Sequence, residues 1–335
     1  MKRIFTQIVL LGLLPLVITA QSMVGTKAAQ FLGIEVGGRS LGMGGAYVAS
    51  ANDATALFWN PGAAASLMGN EALFVHSSYL VNTRFDFLAG VFQMPGIGVL
   101  GISTTVLDYG DMIHTTIEKP DGTGLTFSAM DLAVGVTIAR AMTDRFFIGG
   151  TMKYIQQRIW HEQATSVALD LGTLYHTGMH GLTIGMSIAN FGTPMQMTGN
   201  DLDHFYDIAP DLYGNNSKIV STLKTDKFNL PMIFRAGIAM DVIQSPGLNL
   251  RLAVDAIHPN NNYESLNVGG ELQLFNQFAL RAGYKNLFLE DSEEGLTMGA
   301  GLDVPLGGIR FRADYGYEVF GRLTDIQNFS IAMVF

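Results

Sequence analysis

The chain has 335 residues, a net charge of −9 and no cysteine, so disulfides and thiolate metal sites are excluded and no basic surplus invites nucleic acid. Only 15% of the residues are charged, yet there is no run of about 18 apolar residues, which excludes a bundle of transmembrane helices. Thirty-nine glycines and 10% aromatics suit one large antiparallel β structure instead.

Lys2 and Arg3 precede an apolar run at 8–18, and Ile18-Thr19-Ala20 supplies a small-residue cleavage site. This is the order of a secretory signal, so residues 1–20 are expected to be removed after export. Residue 21 is Gln, which offers no lipid-accepting cysteine. The next stretch, 37–62, reads GGRSLGMGGAYVASANDATALFWNPG and has no strand alternation. We expect residues 21–70 to form a plug, or hatch. Gly42, Gly44, Gly45 and Gly62 would allow close backbone approach, and Asp53, Trp59, Asn60 and Pro61 would be its fixed points.

From residue 71 the chain repeats one pattern, about ten residues of alternating polarity and then a turn. In 248–256 the even positions are Leu248, Leu250, Leu252, Val254 and Ala256, and the odd ones are Asn249, Arg251, Ala253 and Asp255. In 309–318 the apolar set falls on the odd positions. A strand puts such sets on opposite faces. The pattern predicts strands at 71–80, 85–93, 97–107, 129–139, 145–158, 163–175, 181–190, 231–242, 248–258, 263–274, 277–287, 295–304, 308–318 and 325–335. Connections after even-numbered strands are short, and those after odd-numbered strands are longer on average, 108–128 and 191–231 being the extremes. The first connection, 81–84, is an exception. An even strand number with short turns on one side and long loops on the other predicts an all-β, fourteen-stranded antiparallel barrel of the outer membrane, with its short turns and its plug toward the periplasm.

The inward positions of the early strands are mostly small (Gly101, Ser103, Thr105; Ala133, Gly135, Thr137; Gly185, Ser187, Ala189). Those of the later strands carry Arg235, Asp241, Arg251, Asp255, Glu271, Arg281, Lys285, Arg310, Arg312 and Asp314. The small-residue wall would make room for the plug, and the charged wall would pair across strands, since an unpaired charge in a narrow lumen is costly. Phe335, on an alternating last strand, has the form of a signal read by the outer-membrane assembly machinery.

No catalytic constellation or nucleotide loop stands out, and no enzyme activity, metal or other cofactor is expected. His176 and His180 have metal-like spacing but no evident third ligand. Gly42-Met43-Gly44-Gly45 follows no strand and lacks the Lys-Ser/Thr of a phosphate cradle. Glu290, Asp291, Glu293 and Glu294 match no calcium loop and read as a solvated outer loop. Trp160 fits an aromatic girdle. The loop 191–231, with Phe205, Tyr206, Leu212 and Tyr213, is too long to be passive. It is a lid, a partner surface or a shield.

The plug stretch, with Gly42-Met43-Gly44-Gly45-Ala46, Asp53-Ala54 and Trp59-Asn60-Pro61, resembles the PorV/PorQ family of outer-membrane proteins, which look like relatives of the long-chain fatty-acid transporter FadL. Leu107-Asp108-Tyr109-Gly110-Asp111, Thr143-Asp144-Arg145-Phe146 with Lys153-Tyr154-Ile155, the run from Ala168 to Tyr175, and Asn190-Phe191-Gly192 extend the resemblance over about 25–335. It implies a fourteen-stranded barrel with an N-terminal hatch and two alternative roles. One is an accessory or shuttle protein of type IX secretion, whose components or exported substrates would be the partners. The other is a passive, FadL-like transporter of hydrophobic compounds through a lateral opening, expected to show an apolar cavity by the plug and a break in strand pairing. Asn60-Pro61-Gly62 stands where FadL-type proteins commonly have Asn-Pro-Ala. The barrel is expected to be monomeric, in contact with membrane lipid, with no nucleic-acid partner.

Overall fold

Backbone groups in hydrocarbon have no water to bond, so strands there must be paired on both edges. The computed structural model, which describes residues 25–179, 181–214, 216, 218–289 and 292–335, meets this condition by closure. The expected signal at 1–20 lies outside the described residues.

Fourteen barrel strands run in chain order: β1 (Glu71–Ser78), β2 (Arg84–Met94), β3 (Gly98–Ile113), β4 (Thr126–Ala141), β5 (Phe146–Ile159), β6 (Glu162–His176), β7 (Thr183–Gly192), β8 (Ile233–Ser245), β9 (Leu248–Pro259), β10 (Ser265–Leu274), β11 (Phe278–Leu287), β12 (Glu294–Leu306), β13 (Ile309–Phe320) and β14 (Ile326–Val334). Each pairs antiparallel with its sequence neighbours, and β1 pairs with β14 from Glu71↔Val334 to Ser78↔Gln327. Asn70 and Phe335 exchange backbone hydrogen bonds of 3.0 and 2.9 Å below that seam. No described helix is long and apolar enough to cross a membrane.

Side chains alternate as the sequence requires. Leu252 and Val254 face out, while Ala253 and Asp255 are buried inward. Phe329, Ile331 and Phe335 are exposed on the outer wall. The tight turns follow local chemistry, as where Leu306 pairs with Ile309 across Gly307-Gly308, both at positive φ as a two-residue hairpin turn of the primed type demands. Trp160, at the outer end of β5, stacks on Phe127 at 5.7 Å and meets His114 edge-on at 4.9 Å.

Three features differ from the sequence reading. First, β3 runs on to Ile113 and β4 starts at Thr126, inside the predicted loop 108–128. Beyond the hydrocarbon both faces meet water, so alternation fades, and a register shift between Asp108 and Asp111 breaks what remains. Second, β2 is apolar on both faces, with Phe85, Phe87, Ala89 and Val91 buried inward and Leu88 and Phe92 exposed outward. Its lumen side meets an apolar core, not water. Third, the long connection is partly folded: Met195–Gln196 pairs with Lys227–Phe228, and Asp203–Tyr206 pairs with Ile219–Thr222. Met195 and Leu230 at its base are buried in the barrel mouth.

The register sets a labelling test, made clean by the absence of cysteine. A fluorophore on Leu252→Cys should be quenched by brominated acyl chains, and one on Asn249→Cys should not. Fluorescence titration against brominated lipid checks it, and a one-residue slip would reverse the two results.

Candidate functional site

The segment 30–66 folds as short turns because it has no long periodic run to sustain a helix: α1 (Gly38–Gly42), α2 (Ala56–Trp59) and a 3₁₀ turn at Pro61–Ser66. It lies inside the barrel, since it meets the wall on opposite sides. A side chain at Gly38 would put its Cβ 2.8 Å from Asp314 O in β13, and one at Gly62 would sit 2.6 Å from Gly172 O in β6. The plug therefore does not face only the small-residue wall of the early strands. The 3₁₀ turn packs on Gly149 and Gly172, while Gly42 and Gly44 pack on β11 and β12 in the charged half, where Gly283 and Gly299 leave room. Gly44 needs its lack of a side chain twice over, for φ of 63° and for a Cβ site 2.7 Å from Tyr284 N. The amides of Met43, Gly44 and Gly45 bond to carbonyls of Arg39, Ser40 and Leu41 within the plug, so no phosphate cradle is formed.

Each fixed point has a physical task. Trp59 is fully buried, donates from Nε1 to Val36 O at 2.9 Å, and lies edge-on to Tyr47 and Phe58. Asn60 joins plug to wall: Nδ2 donates to Val48 O and to Thr173 O, both at 2.9 Å, while Oδ1 accepts from Gly62 N and caps the 3₁₀ turn behind Pro61. Asp53 accepts from Tyr47 Oη at 2.8 Å, from Thr55 N at 2.9 Å and from the Thr55 hydroxyl. Burial pushes its carboxyl up, but the charges of Arg312 and Arg39 and these hydrogen bonds outweigh that and hold it below the ordinary value. Gly45 lies against Glu35 and Asn267.

The lumen charges fall into separate groups. Glu271 is shared: Arg39 grips it with both Nε and Nη2 at 2.7 and 2.6 Å, and Arg281 Nε reaches the same carboxylate at 2.6 Å. Arg281 also bonds Asp314 at 2.6 Å, and Arg312 pairs with Glu71 at 2.6 Å. Asp255 accepts the amides of Tyr47 and Val48, both at 2.7 Å. Asp241 and Arg251 form their own pair at 2.7 Å, and Arg310 pairs with Asp303 near the short turns, away from the plug. Lys285 is ringed by Glu318, Glu35 and Glu294 at 3.0–3.3 Å. Arg235 is the odd member. It is 3% exposed, its Nε and Nη1 have no hydrogen-bond partner, and its guanidinium lies 5.2 Å from the Trp59 ring centre and 5.6 Å from that of Phe58. Reading the sequence for lumen charge missed Arg39, Glu35, Glu71 and Glu318. Arg39 had a visible signal, as the lone charge in GGRSLG.

Two cavities flank the plug. The one toward the long loops is about 550 Å³, with Ile34, Leu41, Ile233, Ile257 and Ile326 on its wall beside Arg235 and the Lys285–Glu35–Glu294–Glu318 cluster. The one toward the short turns is about 330 Å³ and ringed by Arg39, Glu71, Glu271, Arg281, Arg312 and Asp314. Beside the plug, β6 and β7 break register: Leu169 pairs with Phe191, but Leu171 pairs with Ile188. Asn190 has φ of 65° there. Asp170 accepts from Asn190 N at 2.7 Å and meets Lys153 Nζ at 2.8 Å, and Asn190 Nδ2 reaches Pro231 O at 3.0 Å. On the long connection, Phe205, Tyr206, Leu212 and Tyr213 all stand exposed, apart from these cavities.

Among the described residues no cluster of His, Asp and Glu could hold a metal ion. His176 bonds Thr183 Oγ1 at 3.1 Å, and His180 lies outside the described residues. Of the acidic loop, Glu293 lies 3.5 Å from Arg322 and Glu294 meets Lys285, while 290 and 291 lie outside the described residues.

Removing Glu271 leaves Arg39 and Arg281 buried without their shared anion. Glu271→Ala should therefore cost about 3–5 kcal/mol of barrel stability, read as a urea midpoint in detergent, and an Arg39→Ala/Glu271→Ala cycle should show coupling. Because its folded value is depressed, Asp53 stabilises the plug above the ordinary carboxyl value of 3.8, and that contribution is lost as pH falls through the lower folded value. Asp53→Asn should cost about 1–3 kcal/mol at neutral pH, with the gap to the unsubstituted protein closing in the same titration repeated at acid pH.

The architecture has counterparts among solved structures. The CymD monoaromatic hydrocarbon channel matches with a TM-score of 0.54 at 12% identity, over 89% of this chain and 96% of that one. The Pseudomonas putida toluene transporter TodX gives 0.54 at 12% identity, over 93% and 98%. A Pseudomonas aeruginosa FadL homologue gives 0.54 at 12%, over 94% and 99%. The model of UPF0164, an uncharacterised protein family, matches residues 15–150. No curated protein matches the sequence. Likeness at this identity speaks to architecture, and what this chain shares with these proteins is a closed antiparallel β-barrel.

Proposed function

We propose that the protein is a plugged channel that carries small hydrophobic compounds across the outer membrane without chemical change. The observation that carries this reading is the β6–β7 register break beside a plug whose long-loop cavity bears isoleucines on part of its wall. Toward the long loops the cavity carries Ile34, Ile233, Ile257 and Ile326 on part of its wall, where an apolar solute could rest, beside Arg235 and the Lys285–Glu35–Glu294–Glu318 cluster. Toward the short turns the solute would have to enter a ring of paired charges, beyond a plug that leaves no side-chain-sized gap at Gly38, Gly44 or Gly62. An apolar molecule gains nothing by leaving the isoleucine side of that cavity for such a ring. The β6–β7 register break lies at the level of the plug and offers a sideways path into the bilayer. It is latched by side chains of Asp170, Lys153 and Asn190 rather than by continuous ladder bonds. The names of two similar barrels, a monoaromatic hydrocarbon channel and a toluene transporter, support this substrate class.

On this reading residues 21–70 are the hatch, and Phe335 is an outward-facing aromatic offered to the assembly machinery. The type IX shuttle is the second reading. Its support is the resemblance to PorV/PorQ together with the exposed aromatic tip of the long connection, where Phe205, Tyr206, Leu212 and Tyr213 would meet an exported protein or a secretion component.

Uptake of radiolabelled toluene by cells with an intact lipopolysaccharide layer separates the two. Cells making the protein should take up toluene faster than cells without it. A cross-strand disulfide in Leu169→Cys/Phe191→Cys, a register pair beside the break, should return uptake to background until it is reduced. Equal uptake with and without the protein would overturn the channel, and recovery of exported proteins on the immobilised barrel, lost on truncating 203–222, would favour the shuttle.

A further inference from the structure

The lipid-facing wall over β4–β8 has a hole in it. In one register row the outward positions are Ile138, Gly150, Leu171, Ile188 and Phe234. Gly150 supplies no side chain, and the floor beside it is the backbone of Gly149 and Gly172, whose side-chain positions point inward onto the plug. The result is an apolar recess of about 580 Å³ on the outer surface, within the roughly 300–1,000 Å³ typical of ligand-sized sites. Its walls are exposed Ile138, Leu171, Met186 and Ile188. Its exposed apolar walls suit an acyl chain.

One rim of the recess is charged. Arg140 shares the next register row with Ile148 and Thr173, one residue from the short-turn end of β4. Its side chain faces out, and none of its contacts among the described residues is an ion pair or hydrogen bond. Tyr175, outward and exposed near the end of β6, marks this level as the membrane interface. A cation on the lipid face is costly unless it reaches that interface and meets an anion there. A guanidinium is shaped to grip a phosphate through two parallel hydrogen bonds.

We propose that this recess is a fixed phospholipid site, with the lipid phosphate on Arg140 and one acyl chain laid over Gly150 between Ile138 and Leu171. With the short turns toward the periplasm, as the loop pattern implies, the occupant belongs to the inner, phospholipid leaflet and not to the lipopolysaccharide leaflet. The site is independent of what the lumen carries.

Native mass spectrometry of the full-length barrel, delipidated in mild detergent and titrated with phosphatidylglycerol and, separately, with lipopolysaccharide, tests it. The unsubstituted protein should retain one phospholipid. Arg140→Gln and Gly150→Leu should each lower retention by about tenfold, the loss of one charge-assisted contact or of the chain's seat. A Cβ at Gly150 meets Leu171 Cδ2 at 3.4 Å, an ordinary contact, so the filled variant is expected to fold, and heat-modifiable migration verifies this. Arg310→Gln, a charge change away from the recess, should leave retention intact. Equal retention by Arg140→Gln and the unsubstituted protein, or retention of lipopolysaccharide in place of phospholipid, would overturn the proposal.

Discussion

A strand in hydrocarbon cannot leave an edge unpaired, because each orphaned backbone group costs several kcal/mol there. Everything else in this structure follows from the closure that this demands. Joining β1 to β14 and β5 to β6 completes the ring and fixes which half of every strand faces lipid. Closure also creates an interior that the same strands must fill, and fourteen strands enclose more space than their own side chains occupy. The plug is the answer to that second constraint, and it is packed as a protein core is packed. Trp59, Tyr47, Phe85 and Phe87 are buried between plug and wall.

The plug is held by two kinds of contact. Glycine-to-backbone approaches at Gly38, Gly44 and Gly62 set its position to within the width of a methyl group. Hydrogen bonds from Asn60, Asp255 and the Arg39–Glu271–Arg281 group then fix its orientation. Breaking any one of these leaves a buried polar partner unsatisfied, which makes the set cooperative. The β6–β7 break is built differently. There the wall is closed by side chains of Asp170, Lys153 and Asn190, each of which can turn about its own torsions without unzipping a ladder. The lumen is thus stiff along its axis and less continuous at its side.

Charge placement divides the molecule further. The carboxylates and guanidiniums toward the short turns are almost all mutually paired, while the long-loop cavity combines isoleucines, the Lys285 carboxylate cluster and Arg235, whose guanidinium leans on two aromatic rings. The outer wall carries exposed Arg140 one residue from the short-turn end of β4. Lumen and lipid face therefore present different chemistries only one strand's thickness apart, at Gly149 and Gly172.

The sequence by itself determined the strands, because a wall between lipid and a filled lumen forces alternation, and Leu248–Ala256 or Ile309–Glu318 can satisfy it in only one way. It also marked the plug, since GGRSLGMGG supports neither a strand nor a long helix. Where the interior is apolar, as at Phe85 and Phe87 in β2, the alternation blurred, and beyond the membrane both faces turned polar, so β3 and β4 ran past their predicted ends. Only the tertiary structure decided which charges meet. Arg39 finds Glu271 from 232 residues away, and Gly62 meets Gly172 only because the ring has closed around it. Spacing along a chain carries the period of a strand, but it does not carry the identity of a partner brought near by closure.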